Sequence, residues 1–190
     1  MTSISTALLF LINTVFDLYI FVLTVRLLLA WVQANYNHPL TQFIIKLTQP
    51  LVGPLRRIVP NVKNLESATL LLIVILEIIK FFLIAVIIHV HMPHAGGLLI
   101  LACADIAKFI LNTFFYAILA QVILSWVQPH SPANYLLYQI TSPIMRPLKR
   151  LIPPISGVDI TPVFAIIILQ FLIILLVSPL MKIGIRITFG

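Results

Sequence analysis

Six charged side chains lie inside long apolar stretches of this chain, and they are the first candidates for chemistry. They are Asp17, Arg26, Glu77, Lys80, Asp105 and Lys108. A charge at the centre of a membrane-spanning helix costs about 2.5–3.5 kcal/mol on insertion, so it normally faces protein, water or another charge. Two interpretations are open: the charges hold helices together, or they line a path for an ion or a proton.

Each of the two lysines in this set lies three positions after a carboxylate. Residues three apart on a helix are neighbours, so Glu77–Lys80 and Asp105–Lys108 can neutralise themselves within one helix. If the stretches cross a membrane as helices, Lys80 also lies at a depth similar to that of Asp17. These local pairings favour the structural interpretation.

Arg26 has a candidate partner on the second apolar stretch. At about 1.5 Å of rise per residue, Arg26 lies roughly 9 Å and Glu77 roughly 14 Å below the same membrane surface, and we expect these two to pair. Asp17 and Arg26 point to opposite faces of their helix, which directs Asp17 away from this pair. We therefore expect Asp17 to face the third stretch and to meet Lys108 or Asn112 there.

Three histidines, His89, His91 and His94, form the cluster HVHMPH. Imidazoles at this spacing could bind a metal or respond to pH, but no cysteine or carboxylate stands nearby to complete a site. Polar capping of a short loop is the simpler interpretation. Because the chain has one cysteine, Cys103, a disulfide framework is excluded within it.

Basic residues cluster between the apolar stretches as Arg56-Arg57 and as Arg146, Lys149 and Arg150. A Lys or Arg beside a membrane gains about 1 kcal/mol from an anionic leaflet, and arginine can bind a phosphate with two hydrogen bonds. These five residues are our candidates for binding lipid headgroups or the acidic surface of a partner protein. Nucleic acid is a poor partner for them because they adjoin the predicted spans.

Motifs that would indicate an enzyme are missing from the sequence. It has no glycine-rich phosphate loop, no G-x-S-x-G and no H-E-x-x-H, and its serines and lone cysteine have no adjacent base that we can identify. We predict a protein that is not an enzyme, with no catalytic residues, no bound metal and no cofactor.

A proline-rich segment occurs twice, as TQPLVGPLRRIVP over residues 48–60 and TSPIMRPLKRLIP over residues 141–153. Its six shared prolines are Pro50, Pro54, Pro60, Pro143, Pro147 and Pro153. An apolar stripe before each copy predicts an amphipathic helix lying in the headgroup plane. Because proline lacks an N–H, we expect the first proline of each copy to end that helix and the second to begin a short basic turn.

Composition places most of the chain in lipid. Its residues are 61% hydrophobic and 9% charged, against about 25% charged in soluble domains. Four apolar runs are long enough to cross a bilayer as helices, at residues 7–32, 68–91, 97–127 and 162–185. The fold class is therefore an all-α membrane protein. It has two parallel repeats, residues 1–94 and 95–190, each with an amphipathic helix and a basic turn between its two spans.

The repeat aligns each of three charges in the first half with an amide in the second. The aligned pairs are Asp17 with Asn112, Arg26 with Gln121, and Glu77 with Gln170. Hydrogen-bonding capacity is kept while charge is lost, so we expect these positions to face the interior in both halves.

The distribution of basic residues predicts the orientation. Loops 33–67 and 128–161 carry most of the Lys and Arg residues, whereas the connection between the repeats carries only histidines. By the positive-inside rule these loops are cytoplasmic and both termini lie outside. Lys182 and Arg186 argue against this orientation, but the loop cations outnumber them.

The doubled motif T-x-P-x3-P-L-[RK]-R-x2-P, each copy following a W-V-Q at the end of a span, resembles the YggT family of small membrane proteins. The resemblance covers residues 7 to 185 as two tandem units. It implies a protein of the bacterial inner membrane or of plastids. Members of the family have been linked to osmotic tolerance, to division-associated membrane organisation and to assembly of membrane complexes. It supplies no catalytic residues.

Together these observations predict a non-enzymatic, multi-pass protein of the inner membrane that organises or assembles membrane components through its basic turns and interfacial helices. The expected partners are anionic lipids and other membrane proteins, and a homodimer is plausible. The alternative is transport of an ion or solute during osmotic adaptation, with the buried charges of the first repeat as its machinery.

Overall fold

The structure is a computed structural model that describes residues 3–61, 65–88, 93–153 and 159–189. Its regular elements within these ranges are α-helices, with one short π-helical segment inside the last span. The helices are α1 (Ser3–Trp31), α2 (Pro39–Arg56), α3 (Ser67–Ile87), α4 (Ala95–Val127), α5 (Pro132–Leu151), α6 (Thr161–Leu172) and α7 (Ser178–Phe189).

Four stretches, α1, α3, α4 and Thr161–Phe189, are long and apolar enough to cross a membrane. The protein is therefore an all-α, multi-pass membrane protein, because a spanning helix satisfies its own backbone hydrogen bonds in lipid. Each half of the chain contributes a span, an amphipathic helix and a second span, in that order. The predicted all-α membrane fold with four spans is confirmed, whereas the interfacial position of the amphipathic helices stays a prediction. The predicted end of the second span, at residue 91, lies outside the described residues.

The proline positions correct one prediction. Helix α2 continues through Pro50 and Pro54, and α5 continues through Pro143 and Pro147, so the first proline of each copy does not end its helix. A proline inside a helix costs about 3 kcal/mol, and tertiary packing offsets this cost. In α2 the fully buried Val52 packs into the core formed by α1 and α3. The basic pairs therefore stand at the C-terminal ends of α2 and α5 rather than on separate turns. Both helices end before the third proline of their copy.

The two amphipathic helices bury different faces. Helix α2 exposes its apolar stripe, formed by Leu40, Phe43, Leu47 and Leu51. Helix α5 instead buries Leu136 and Ile140, the counterparts of Phe43 and Leu47, in a core shared with α1, α4 and α6. The predicted interfacial stripe therefore suits α2, whereas half of the stripe of α5 belongs to the protein interior.

Helix α4 occupies the centre of the bundle and contacts α1, α3, α5, α6 and α7. Two glycines, one on each helix, allow α4 and α7 to pack closely. A Cβ added at Gly97 would lie 2.8 Å from the backbone nitrogen of Thr188, and one added at Gly184 would lie 2.8 Å from Cγ of Leu101. Small residues commonly allow membrane helices to approach in this way.

The last span contains a π-helical segment, Ile173–Val177, that the sequence did not lead us to predict. Pro179 follows this segment and cannot donate the helical hydrogen bond that its position requires. A widened turn just before a proline relieves that defect, since the backbone bonds shift to a five-residue spacing.

The N-terminal half of α1 stands outside the protein core. Ile4, Phe10 and Leu18 are 73%, 71% and 63% exposed, whereas Leu23 and Leu27, further along the same helix, are buried. This half of the span has apolar surface for lipid or for another membrane protein.

Candidate functional site

The first polar cluster is built around Arg26, near the C-terminal end of α1. Its guanidinium binds the Glu66 carboxylate with two hydrogen bonds, Nε to Oε2 at 2.8 Å and Nη2 to Oε1 at 2.8 Å. Nη1 donates to Oγ1 of Thr48 on α2 at 2.7 Å. The Thr69 hydroxyl donates to Oε2 of Glu66 at 2.7 Å. Arg26 and Glu66 are both buried, so this network links α1, α2 and the start of α3 in the protein interior.

The predicted Arg26–Glu77 pair is wrong. An arginine side chain is long and extends toward the membrane surface, where Glu66 precedes α3, while Glu77 lies deeper in the same helix. The sequence does contain a signal for Glu66, because it aligns with Asp159 and each of them follows a basic pair by a similar distance.

The second repeat forms a related set of contacts without the buried charge. Thr141, the counterpart of Thr48, donates its hydroxyl to Oε1 of Gln121 at 2.6 Å. Gln121 therefore takes the place of Arg26 in the contact with the amphipathic helix. It is half-buried, which agrees only partly with the expected interior position.

In both repeats, one residue of the basic pair turns back onto the acidic residue ahead of the next span. Arg56 lies 3.4 Å from Glu66, and Lys149 lies 2.8 Å from Asp159. In the second repeat, Asp159 also accepts a hydrogen bond from the backbone nitrogen of Thr161 at 3.0 Å, which fixes the start of α6.

The carboxylates of Glu66 and Asp159 are stabilised in their charged form. Burial raises the pKa of Glu66, but hydrogen bonds from Arg26 and Thr69 outweigh burial, and the net pKa is lowered. For Asp159, burial again raises the pKa, and the bonds from Lys149 and Thr161 lower it further than burial raises it. Both groups are therefore ionised at neutral pH and hold their cations in place.

The second polar cluster surrounds Lys80 at the middle of α3. Its ammonium contacts three carboxylates, from Asp17 on α1 at 3.0 Å, Glu77 on α3 at 2.7 Å and Asp105 on α4 at 2.5 Å. Asp105 also binds Lys108 at 3.2 Å. Both predicted pairs at three-residue spacing, Glu77–Lys80 and Asp105–Lys108, are therefore present, and one lysine connects three spans.

Asp17 was expected to meet Lys108 or Asn112, and this expectation is wrong. It binds Lys80 on α3 instead, and the Arg26–Glu77 pair that was expected to exclude this contact does not form. The side chains of Asp17 and Lys108 are each 43% exposed, so the expected interior position of Asp17 holds only in part. Asn112 is half-buried.

Glu77 and its counterpart differ in their surroundings. Glu77 is fully buried, as the alignment of the repeats predicted. Gln170 is half-buried on α6, and no hydrogen-bond partner for it occurs among the described residues. The charged position thus belongs to the contact of α1, α3 and α4, while the amide position lies nearer the surface of the bundle.

Every carboxylate of the chain is paired, so its net positive charge belongs to cations without an acidic partner. The chain has five acidic and 12 basic residues, and each of the five carboxylates binds at least one cation in the contacts above. The surplus of +7 is therefore carried by residues outside these ion pairs. Among the predicted binding residues, Arg57, Arg146 and Arg150 are exposed and have no ion pair in the described part of the chain. Arg56 and Lys149 are partly occupied by Glu66 and Asp159.

Within the described ranges, no group of three His, Cys, Asp or Glu side chains is placed to hold a metal ion. His94 immediately precedes α4, and His89 and His91 lie outside the described residues. The two polar clusters can neutralise charge inside a membrane and fix the spacing of helices. The exposed arginines can bind anions.

Comparison with known proteins identifies the family. The family model described as CCB3/YggT matches residues 5–87 and 100–180, which are two tandem segments covering most of the chain. The chain belongs to the CCB3/YggT family. The resemblance seen in the doubled proline motif is thereby confirmed, and no solved structure matches the chain.

Related proteins of this family occur in bacteria and in a plant. An uncharacterized protein in the proC 3' region of Vibrio alginolyticus is 40% identical over 164 residues, covering 85% of this chain and 89% of that protein. Uncharacterized protein YggT of Escherichia coli K12 is 38% identical over 162 residues, 84% of each chain. The chloroplast protein CCB3 of Arabidopsis thaliana, whose name refers to cofactor assembly of complex C, is 34% identical over 73 residues, 36% of this chain and 41% of that protein.

Proposed function

We propose that this CCB3/YggT protein is a non-enzymatic protein of the inner membrane that organises or assembles membrane components through its two basic loops. The division of charge is the observation that carries the proposal. Since each of the five carboxylates already binds a cation of this chain, Arg57, Arg146 and Arg150 remain to attract an anionic lipid surface or an acidic partner.

The ends of α2 and α5 are suited to such contacts. Each basic pair is followed by a large exposed apolar residue, Ile58 at 79% and Leu151 at 80%. A cation beside an exposed apolar side chain can bind at the boundary between lipid headgroups and acyl chains. It can equally bind a helix of a partner protein that lies at this boundary. Two copies on one side of the membrane would allow simultaneous contact with two components.

The name of the Arabidopsis relative also supports an assembly role, since that protein is named for cofactor assembly of complex C. The transport alternative is less well supported because the ammonium of Lys80 is already bound by three carboxylates. We further propose that loops 33–67 and 128–161 face the cytoplasm and that both termini lie outside, as the positive-inside rule predicts.

Photo-crosslinking in cells tests the proposal. A photoreactive residue placed at Ile58 or Leu151 should form adducts with membrane proteins. The triple variant Arg57→Gln, Arg146→Gln, Arg150→Gln should lose these adducts, because the attraction to the partner is electrostatic. A photoreactive residue at Leu18, on the exposed half of α1, serves as the control for contacts made through apolar surface alone.

Two outcomes would contradict this function. One is the absence of protein adducts from both loops in cells that express the folded protein. The other is a set of adducts that the triple variant leaves unchanged.

A further inference from the structure

A cavity of about 150 Å³ lies where α1 meets α2 in the first repeat. Arg26 and Leu29 of α1, Thr41 and Ile44 of α2, and Arg56 and Glu66 line it. It has room for roughly five water-sized groups, given a share of about 30 Å³ each. Its lining combines apolar side chains, such as Leu29 and Ile44, with charged ones.

Thr41 is the first sign that this cavity receives a ligand. It is 1% exposed, and its hydroxyl oxygen has no hydrogen-bond partner. Thr24 and Thr48 satisfy their hydroxyls by donating to the carbonyl four residues earlier, at 2.8 and 2.6 Å. Thr41 stands in the first turn of α2, and the residue four positions earlier lies outside the helix. A buried hydroxyl left unpaired costs about 1–3 kcal/mol, so a polar group in the cavity would remove a real penalty.

The charges around the cavity define the ligand. Arg26 and Arg56 bring two positive charges and Glu66 brings one negative charge, which leaves a surplus of one positive charge. Arg26 already donates hydrogen bonds to Glu66, Thr48 and Gln49. The side chain of Arg56 is 46% exposed, and its guanidinium contacts Glu66 at 3.4 Å through one nitrogen, so it keeps donors for a further anion. A phosphodiester carries one negative charge and accepts hydrogen bonds from both arginine and threonine.

The position of the cavity favours a lipid as the source of that group. The exposed apolar stripe of α2 runs beside it through Leu40, Phe43, Leu47 and Leu51. This stripe offers a surface for acyl chains next to a cationic, hydroxyl-bearing cavity at the end of a span. We infer that this cavity binds the phosphodiester headgroup of an anionic phospholipid, with Arg56 and Thr41 as its direct contacts.

The second repeat contains a corresponding cavity whose lining has no Lys, Arg, Asp or Glu. This cavity of about 360 Å³ is lined by His130 and by Gln121, Asn134 and Tyr138, the counterparts of Arg26, Thr41 and Ile45. The Asn134 side-chain oxygen is likewise buried and unpaired. This counterpart has no arginine in its lining, so it provides a matched control position inside the same molecule.

The inference deepens the proposed function at Arg56, but the two can fail separately. The proposed function rests on Arg57, Arg146 and Arg150, which do not line the cavity. Their triple replacement by Gln should abolish loop crosslinks and leave headgroup binding in the cavity intact.

Binding to the full-length protein in a neutral detergent tests the inference. The probes are dioctanoyl phosphatidylglycerol, dioctanoylglycerol with the same chains and no phosphate, and inorganic phosphate. Native mass spectrometry counts the bound probe, and the shift in melting temperature measures its effect. We expect phosphatidylglycerol to bind, and the other two probes to bind at least about tenfold more weakly, since each loses either the charge-assisted bonds or the apolar contact.

Two single variants locate the site. Thr41→Val and Arg56→Gln should each weaken phosphatidylglycerol binding by about tenfold or more, while Asn134→Leu should leave it unchanged. Without lipid, Thr41→Val should melt no lower than the wild type, because it removes an unpaired hydroxyl and leaves every charge in place.

The inference is overturned if Thr41→Val and Arg56→Gln bind phosphatidylglycerol as the wild type does. Equal binding of dioctanoylglycerol would show that the acyl chains alone are recognised, and equal binding of inorganic phosphate would exclude a lipid-specific site. Either result contradicts the assignment.

Discussion

Single side chains decide how this protein tolerates charge within its spans. Lys80 is the hub of one cluster, since its ammonium neutralises carboxylates from α1, α3 and α4. Arg26 is the hub of the other: it donates two hydrogen bonds to Glu66 and one to Thr48, and Thr69 donates a further bond to Glu66. Removing Lys80 leaves Asp17 and Glu77 without a cation, whereas removing one carboxylate leaves Lys80 with two others.

Lys80→Met should therefore be much more damaging than Glu77→Gln. Breaking a buried ion pair by removing one partner costs about 3–5 kcal/mol, which corresponds to roughly 10 °C in melting temperature for a chain of this size. Glu77→Gln keeps the shape and leaves Lys80 bound to Asp17 and Asp105. Thermal unfolding in detergent compares the two variants. Equal loss from both would mean that Lys80 is not the hub.

Acid should weaken the Arg26–Glu66 contact. Because the pKa of Glu66 is lower in the folded protein than its usual 4.5, the carboxylate stabilises the fold above pH 4.5, and this contribution is lost as the pH falls through the folded pKa. Melting temperatures measured between pH 7 and pH 3 should fall less for Glu66→Gln than for the wild type. Parallel curves for the two proteins would refute the assignment. Asp159→Asn is the corresponding variant in the second repeat. Because the pKa of Asp159 is lowered from its usual 3.8, the stability that it contributes should be lost below pH 3.8.

In the amphipathic helices, the packing of buried side chains opposes the helix-breaking effect of proline. Helices α2 and α5 continue through two prolines each, because buried residues such as Val52 and Met145 hold the chain against the bundle. Helices α4 and α7 approach closely because Gly97 and Gly184 have no side chain. The contact between α4 and α7 therefore depends on residue size, whereas the contact of α1 and α3 with α4 depends on charge.

Gly97→Leu should disrupt the contact between α4 and α7, because a Cβ at this position already overlaps the backbone of Thr188. Forcing extra volume into a packed interface typically costs about 1–3 kcal/mol. Gly96→Leu is the matched control, since a Cβ there meets nothing within 4 Å. A lower melting temperature for Gly97→Leu alone is expected. Equal melting temperatures for both variants would contradict the close approach.

The sequence predicts the elements better than it predicts their contacts. Apolar length suffices to find four spans, and the doubled motif suffices to find the repeat, because lipid imposes helices and duplication leaves matching residues. The partner of Arg26 was missed because rise along a helix gives the depth of a Cα atom and not the reach of a long side chain. The helical course of α2 past Pro50 was missed because a propensity argument omits the burial of Val52.

The whole molecule is arranged as two successive hairpins that enter the membrane in the same direction. An even number of spans per repeat places the two basic loops on one side, and the surplus of positive charge predicts that this side is the cytoplasm. The proposed contacts with lipid and with partners require this arrangement, since the cations at the ends of α2 and α5 must reach the same leaflet.

Cysteine accessibility in intact cells measures this arrangement directly. In a Cys103→Ser background, single cysteines at Ile58 and Leu151 report on the two loops, and single cysteines at Ala95 and Phe189 report on the opposite ends of the spans. An impermeant maleimide should label positions 95 and 189 in intact cells, and positions 58 and 151 only after the membrane is opened. Labelling of position 58 or 151 from outside would contradict the account.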